Sequence, residues 1–210
     1  MNAPINFYFA CASPWSYLAL DALVAIGDAH KRSVAYTPID VERAWDKTGT
    51  GRPLGQKPAA LRGYRDLDLP RWAAYRGIDI DPAPKSLAAE TKFLTSRVIV
   101  AASQSGVDVY PLVRAFMRAC WVDNQNISDP PTVVAIADEA GFAGAALLAA
   151  ANSAAVQQYL EANTAQALAD GVWSVPSIIV DGELFYGQDR LEMIAWRLSG
   201  SPDPHPRPPQ

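Results

Sequence analysis

Three short stretches of this chain combine residue types that could hold and activate an anion. The first is Ser13-Pro14-Trp15-Ser16, which follows an apolar run and opens a helical pattern. Serine before proline is a strong helix start, with the hydroxyl at the N-cap and proline at the first helical position. The unpaired N–H groups and partial positive charge of such a terminus stabilise an anion beside it. A hydroxyl there can donate to a bound thiolate and lower that thiol's pKa from about 8.5. A serine nucleophile would instead need a nearby base. The only internal histidine, His30, sits at the far end of this helix, roughly 25 Å away at about 1.5 Å per residue. Ser13 is therefore better read as a thiolate stabiliser than as a nucleophile, although capping alone also accounts for the motif.

The second stretch is Val172-Trp173-Ser174-Val175-Pro176-Ser177. A proline after a β-branched residue and directly before a strand is a candidate cis peptide, whose turn would offer the Val175 backbone to an extended ligand. A trans Pro176 at a strand edge is the plainer alternative. The third is Tyr186-Gly187-Gln188-Asp189-Arg190, at an expected helix start. Exposed N–H groups there can receive a carboxylate and Asp189 an ammonium, the two charges of a free α-amino-acid end. Capping by Gln188 or Asp189 with a surface Asp–Arg pair is open as well.

Elements that could position these residues are legible along the chain. Ile5 to Ala10 reads as a strand rich in aromatic and β-branched residues, followed by a helix from Ser13 to about Ala29 and a strand at Val34 to Thr37. Gly49 to Pro58 is loop-like. The stretch from 58 to 170 shows no convincing strand and reads as helices over Pro58–Gly77, Ser86–Gly106, Val109–Asp123, Pro131–Ala140 and Ser153–Asp170. In the third of these, Leu112, Phe116 and Cys120 recur every four residues with Val113 and Met117 beside them, an amphipathic core pattern. Strands return at Ser177–Val180 and Glu183–Tyr186 around an Asp181-Gly182 hairpin turn, and a last helix runs to about Ser199.

This order predicts an α/β fold: a thioredoxin-like domain with a large inserted all-helical domain. The expected thioredoxin-like part is residues 1–48 and 171–199, with part of helix 153–170 packed on it. Residues 49–170 form the mainly helical insertion and 200–210 a proline-rich, poorly ordered tail.

Composition narrows the function classes. The chain has 210 residues, half of them apolar, which suits a sizeable core. Its net charge is −4 and its basic residues are spread out, so nucleic acid is not an expected partner. Two cysteines, Cys11 and Cys120, and two histidines, His30 and His205, do not fall in a metal-ligand spacing, and no metal is expected. The expected state of the cysteines is two reduced, buried thiols, with a disulfide between them left open. The apolar N-terminal stretch has no preceding Lys or Arg, and Pro14 and Asp21 oppose a spanning helix, so no membrane association and a cytoplasmic location are expected.

Phe7-Tyr8-Phe9 followed by Ser13-Pro14-Trp15-Ser16-Tyr17-Leu18-Ala19 resembles the opening of the 2-hydroxychromene-2-carboxylate isomerases. These are relatives of kappa-class glutathione transferases within the DsbA-like thioredoxin group. The resemblance continues through Tyr64, Asp68, Arg71-Trp72-Ala73, Gly77, Trp121-Val122-Asp123 and Ile127-Ser128-Asp129. It closes on Gly171-Val172, Val175-Pro176 and Asp181 to Leu191, covering nearly the whole chain before the tail.

The resemblance implies glutathione as cofactor, a small aromatic substrate in naphthalene-type catabolism and a homodimer. It implies that Ser13 hydrogen-bonds the glutathione sulfur, that Val175 before a cis Pro176 pairs with the cysteinyl part, and that Gln188 and Asp189 hold the γ-glutamyl end. The implied reaction is reversible thiolate addition, interconverting 2-hydroxychromene-2-carboxylate and trans-o-hydroxybenzylidenepyruvate. A kappa-like transferase acting on other electrophiles and a non-catalytic glutathione-binding domain share the same site. A disulfide oxidoreductase would need cysteine where the helix starts with serine. The family's asparagine and lysine toward the cofactor are replaced here by Thr50 and Leu61, with Arg52, Lys57 or Arg62 as nearby substitutes for the charge.

Overall fold

The computed structural model describes residues 3–84 and 93–200. The start of the helix expected from Ser86, residues 201–210 of the tail and His205 lie outside the described residues. In chain order the elements are β1 (Ile5–Phe9), α1 (Pro14–Ala29), β2 (Val34–Pro38), α2 (Val41–Thr48), α3 (Ala59–Arg76), α4 (Leu94–Ser103), α5 (Tyr110–Trp121), α6 (Pro130–Glu139), α7 (Gly144–Ala151), α8 (Ala154–Ala169), β3 (Ser177–Val180), β4 (Glu183–Tyr186) and α9 (Leu191–Leu198). The expected strands all form. Two helices were not anticipated. In α2, an eight-residue segment of mixed charge, Asp40 caps by accepting from the Arg43 N–H, and only Val41 and Ala44 are buried. In α7, Gly144-Ala-Ala-Leu-Leu-Ala-Ala-Ala has no side-chain cap and no polar face to reveal a helical period.

The sheet runs β2-β1-β3-β4, with β1 and β2 parallel through the right-sized α1 crossover and the other pairs antiparallel. Strand β1 is central and buried on both faces. Ile5, Phe7 and Phe9 face a large cluster shared with α1, α4, α5 and α9. Tyr8 and Ala10 face a second cluster with Ile39, Val41, Ala167, Val172 and Val175, so α2 and α8 cover that side. Leu112, Val113, Phe116, Met117 and Cys120 of α5 are all fully buried, as their four-residue spacing predicts.

Long-range polar contacts fix these layers. The Tyr8 hydroxyl donates to Asp170 Oδ2 at 2.6 Å, tying β1 to the end of α8. Trp121 Nε1 donates to the Cys11 carbonyl at 2.8 Å, inside the core, and so anchors the β1–α1 turn to the end of α5. The β3–β4 hairpin turns on Asp181 and Gly182, both at positive φ (50° and 84°), and Asp181 Oδ1 accepts from Arg32 at 2.8 Å.

Candidate active site

Sheet register brings the two serine- and proline-bearing turns to one end of the fold. Tyr8 pairs with Ser177, so the chain leaving β1 toward Ser13 runs beside the chain entering β3 from Pro176. At the first turn Ser13 is the N-cap of α1, with extended φ of −99° and ψ of 116°, and its Oγ accepts from the Ser16 N–H at 3.2 Å. Ser13 is half-buried. A hydroxyl has two acceptor lone pairs and one donor proton. Capping uses a lone pair, so the proton is free to donate to something else: the capping and anion readings of Ser13 are compatible. His30 is the C-cap of the same helix, at its opposite end, and cannot serve as a base for Ser13.

At the second turn the Val175–Pro176 peptide is cis. Val175 is 6% exposed and packs with Tyr8 and Ala10. Among the described residues it makes no backbone hydrogen bond within the protein. The Pro176 carbonyl accepts from the Gly187 N–H at 3.0 Å, which brings the third motif alongside the second. Gly187 has φ of 107°, and a Cβ there would lie 2.3 Å from Asp189 Oδ1, so only glycine suits this corner.

Gln188 and Asp189 do not cap the last helix as expected. Gln188–Arg190 forms a single 3₁₀ turn leading into α9, and neither residue makes a side-chain capping bond. Their side chains are engaged elsewhere. Gln188, 3% exposed, accepts from Arg76: Nε donates to its Oε1 at 2.8 Å and Nη2 to its backbone carbonyl at 2.7 Å. Asp189 pairs with Arg190 at 3.2 Å on the surface. Arg76 reaches this corner because Leu69 and Ala73 of α3 pack on Leu18 of α1.

A third wall carries aromatic side chains. Trp45 Nε1 donates to Ser174 Oγ at 3.1 Å, and the Trp173 and Tyr186 rings meet at 3.9 Å between centroids. Thr50 Oγ1 lies 3.5 Å from the Trp173 carbonyl. Beside Trp45 a cleft of about 590 Å³ is lined by Glu42, Asp46, Arg52 and Gln56. Of the three cations that could replace the family lysine, Arg52 lines this cleft, whereas Arg62 donates to the Gly55 and Lys57 carbonyls. Leu61 is 57% exposed.

The pattern of a DSBA-like thioredoxin domain matches residues 4–199. The chain belongs to that family. A 2-hydroxychromene-2-carboxylate isomerase from Sphingobium xenophagum is 29% identical over 198 residues, covering 92% of this chain and 97% of the relative. A solved 2-hydroxychromene-2-carboxylate isomerase superposes with a TM-score of 0.78 at 23% identity, covering 93% of this chain and 94% of that one. A cytosolic disulfide reductase, DsbM, from Pseudomonas aeruginosa, solved with GSH, superposes with a TM-score of 0.65 at 14% identity, over 93% and 99% of the two chains.

Within this DsbA-like domain the cysteines are not placed for redox work. Both are free and buried, and burial pushes each thiol up to about 12. Cys11 lies within the core rather than at the helix start, so no thiolate of this chain is available where the helix N-terminus could stabilise one. Among the described residues no group of His, Cys, Asp and Glu could hold a metal ion, and no helix is long and apolar enough to cross a membrane.

Sequence reasoning missed Arg76, Trp45 and Ser174. Arg76 directly precedes Gly77, the αL residue that ends α3, and a cation in a last helical turn is ordinary. Its Gln188 partner is 112 positions away, and no local signal announces that contact.

Proposed function

We propose that this chain is a glutathione-dependent isomerase that interconverts 2-hydroxychromene-2-carboxylate and trans-o-hydroxybenzylidenepyruvate. The observation that carries the reading is the half-buried Ser13 hydroxyl, whose proton is uncommitted at the N-terminus of α1, at the same end of the sheet as the cis Val175–Pro176 turn. The names of full-length relatives supply the reaction class.

The residues present fit the tripeptide. Ser13 donates to the sulfur and, with the α1 N-terminus, holds it as the anion; a shift of two pKa units corresponds to about 2.7 kcal/mol, within reach of one charge-assisted hydrogen bond and a helix end. The unpartnered Val175 backbone groups receive the cysteinyl part, and Gln188 and Asp189 the γ-glutamyl end. Arg52, on the cleft beside Trp45, meets the glycyl carboxylate in place of the residues lost at Thr50 and Leu61. When bound, glutathione supplies a thiolate nucleophile that adds reversibly to a conjugated carbon, so that a double bond becomes a single bond free to rotate. The helices of residues 49–170 close the substrate side, as an insertion in a thioredoxin-like part formed by 1–48 and 171–199. A homodimer in the cytoplasm is part of the same reading.

Calorimetric titration with glutathione, followed by the chromene-acid assay with and without it, tests the proposal. Saturable binding and thiol-dependent isomerisation are expected. Isomerisation at an equal rate without any thiol would overturn the mechanism. A thioether accumulating from a generic electrophile, with no isomerisation, would make the chain a transferase instead.

A further inference from the structure

Arginine carries only N–H donors, so the Gln188 side-chain atom that faces Arg76 Nε at 2.8 Å is the amide oxygen. The contact removes the usual ambiguity of a glutamine. Its carbonyl is spent on a guanidinium, and its NH₂ group, which has no partner among the described residues, is the end left for a ligand. The arrangement is held firmly. Arg76 is 10% exposed, its Nη2 also donates to the Gln188 carbonyl at 2.7 Å, and its guanidinium lies 5.4 Å from the centre of the Trp72 ring. Glu192, at 4.0 Å, offsets only part of the charge from a mainly exposed position.

From this we propose that Arg76 is a positioning residue that sets the polarity of the γ-glutamyl site. By engaging the Gln188 amide oxygen, it leaves the NH₂ donors of Gln188 for the ligand's α-carboxylate, with the α-ammonium falling to Asp189. The inference rests on the glutathione reading above and deepens it: that reading gives the ammonium to Asp189, and Arg76 accounts for how the Gln188 side chain is turned toward the carboxylate. Asp189 suits the second role. It accepts only, and its present partner, Arg190, is an exposed pair of the kind that exchanges at little cost. Arg76 touches neither charge itself; it acts through the amide it orients and adds positive potential behind the carboxylate.

Two analogues separate the charges: N-glutaryl-cysteinylglycine keeps the carboxylate and lacks the ammonium, and N-(4-aminobutyryl)-cysteinylglycine does the reverse. Wild type, Arg76→Met and Arg76→Lys are titrated calorimetrically with glutathione and with both analogues. Arg76→Met is expected to weaken glutathione and the glutaryl analogue by about tenfold, the scale of one charge-assisted contact. Binding of the aminobutyryl analogue should change less than about twofold. Arg76→Lys, which keeps the charge but not the planar fork, should fall between and carries the comparison if the methionine variant does not fold. Equal weakening of all three ligands would reduce Arg76 to a structural role, and no weakening of any would discard it. A wild-type protein that binds none of the three would instead sink the glutathione reading, and this inference with it.

Discussion

Trp45 and Ser174 stand 129 positions apart in the chain and are joined by a 3.1 Å hydrogen bond from the indole Nε1 to the serine Oγ. The contact ties α2 to the turn that ends in the cis Pro176. Gly51 lies against the same indole, and a Cβ there would fall 2.1 Å from Trp45 Cδ1. One ring thus spaces the loop after α2 from the loop before β3.

Gly51→Ala should displace the indole and cost about 1–3 kcal/mol, the usual range for overpacking. In a Trp45→Ala background the same substitution should cost little, because the ring it would strike is gone. Urea unfolding of the four proteins gives both differences. A full cost for Gly51→Ala without the ring would locate the clash elsewhere. Trp45→Phe, which leaves the nearly buried Ser174 without its donor, should lose about 1 kcal/mol.

Ser13→Ala removes a cap and a thiolate donor together. Stability should drop by about 1 kcal/mol, whereas turnover should fall by roughly 100-fold, the rate equivalent of about 2.7 kcal/mol. Glutathione should still bind. The ultraviolet thiolate band of the bound tripeptide, followed against pH, should titrate well below the free thiol in wild type and return toward about 8.5 in the variant. Turnover at the wild-type level would remove Ser13 from the chemistry.

The two thiols should be inert in the native protein. With each pushed up to about 12 by burial, Cys11 and Cys120 should resist a disulfide reagent at pH 8 and react fully once the chain is unfolded. Linkage gives the sign of the pH effect. The folded state holds these protons longer than the unfolded chain, whose thiols titrate near the free value of about 8.5, so stability should decline as pH rises from there toward 12. Tyr8, raised by burial and by its bond to Asp170, adds to the same decline. Rapid labelling of the native protein at pH 8 would contradict the burial.

At the acid end, Arg32 holds the Asp181 carboxyl below the usual carboxylate range through a direct hydrogen bond. The contribution is present above the ordinary carboxylate pKa of about 3.9 and is lost as pH falls through the lower folded value. Asp181 is 42% exposed, so Asp181→Asn should cost less than about 1 kcal/mol at pH 7. The gap between the melting curves of the two proteins should shrink as pH falls below about 4 and close once the pH is below the lowered folded value. A gap that persists there would assign the loss to the hairpin turn rather than to the charge.

Local chemistry made much of this molecule readable from its residues in order. Ser13-Pro14 announces a helix start because a hydroxyl cap and a proline ring act within one turn. Asp181-Gly182 announces a hairpin because few residues accept positive φ in succession, and the α5 spacing reveals a buried face. The short helices α2 and α7 escaped because neither presents a clear periodic stripe.

The folded chain alone decided how the motifs meet. Whether Gln188 caps or is captured, and which arginine captures it, depend on a partner more than 100 positions away. The Ser13 hydroxyl illustrates the division. Its neighbours in sequence explain the lone pair it gives to Ser16, but only the pairing of β1 with β3 brings its free proton to the end of the sheet where Pro176 enters β3. Sequence encodes what a residue can donate or accept within a turn of itself; packing sets what it faces.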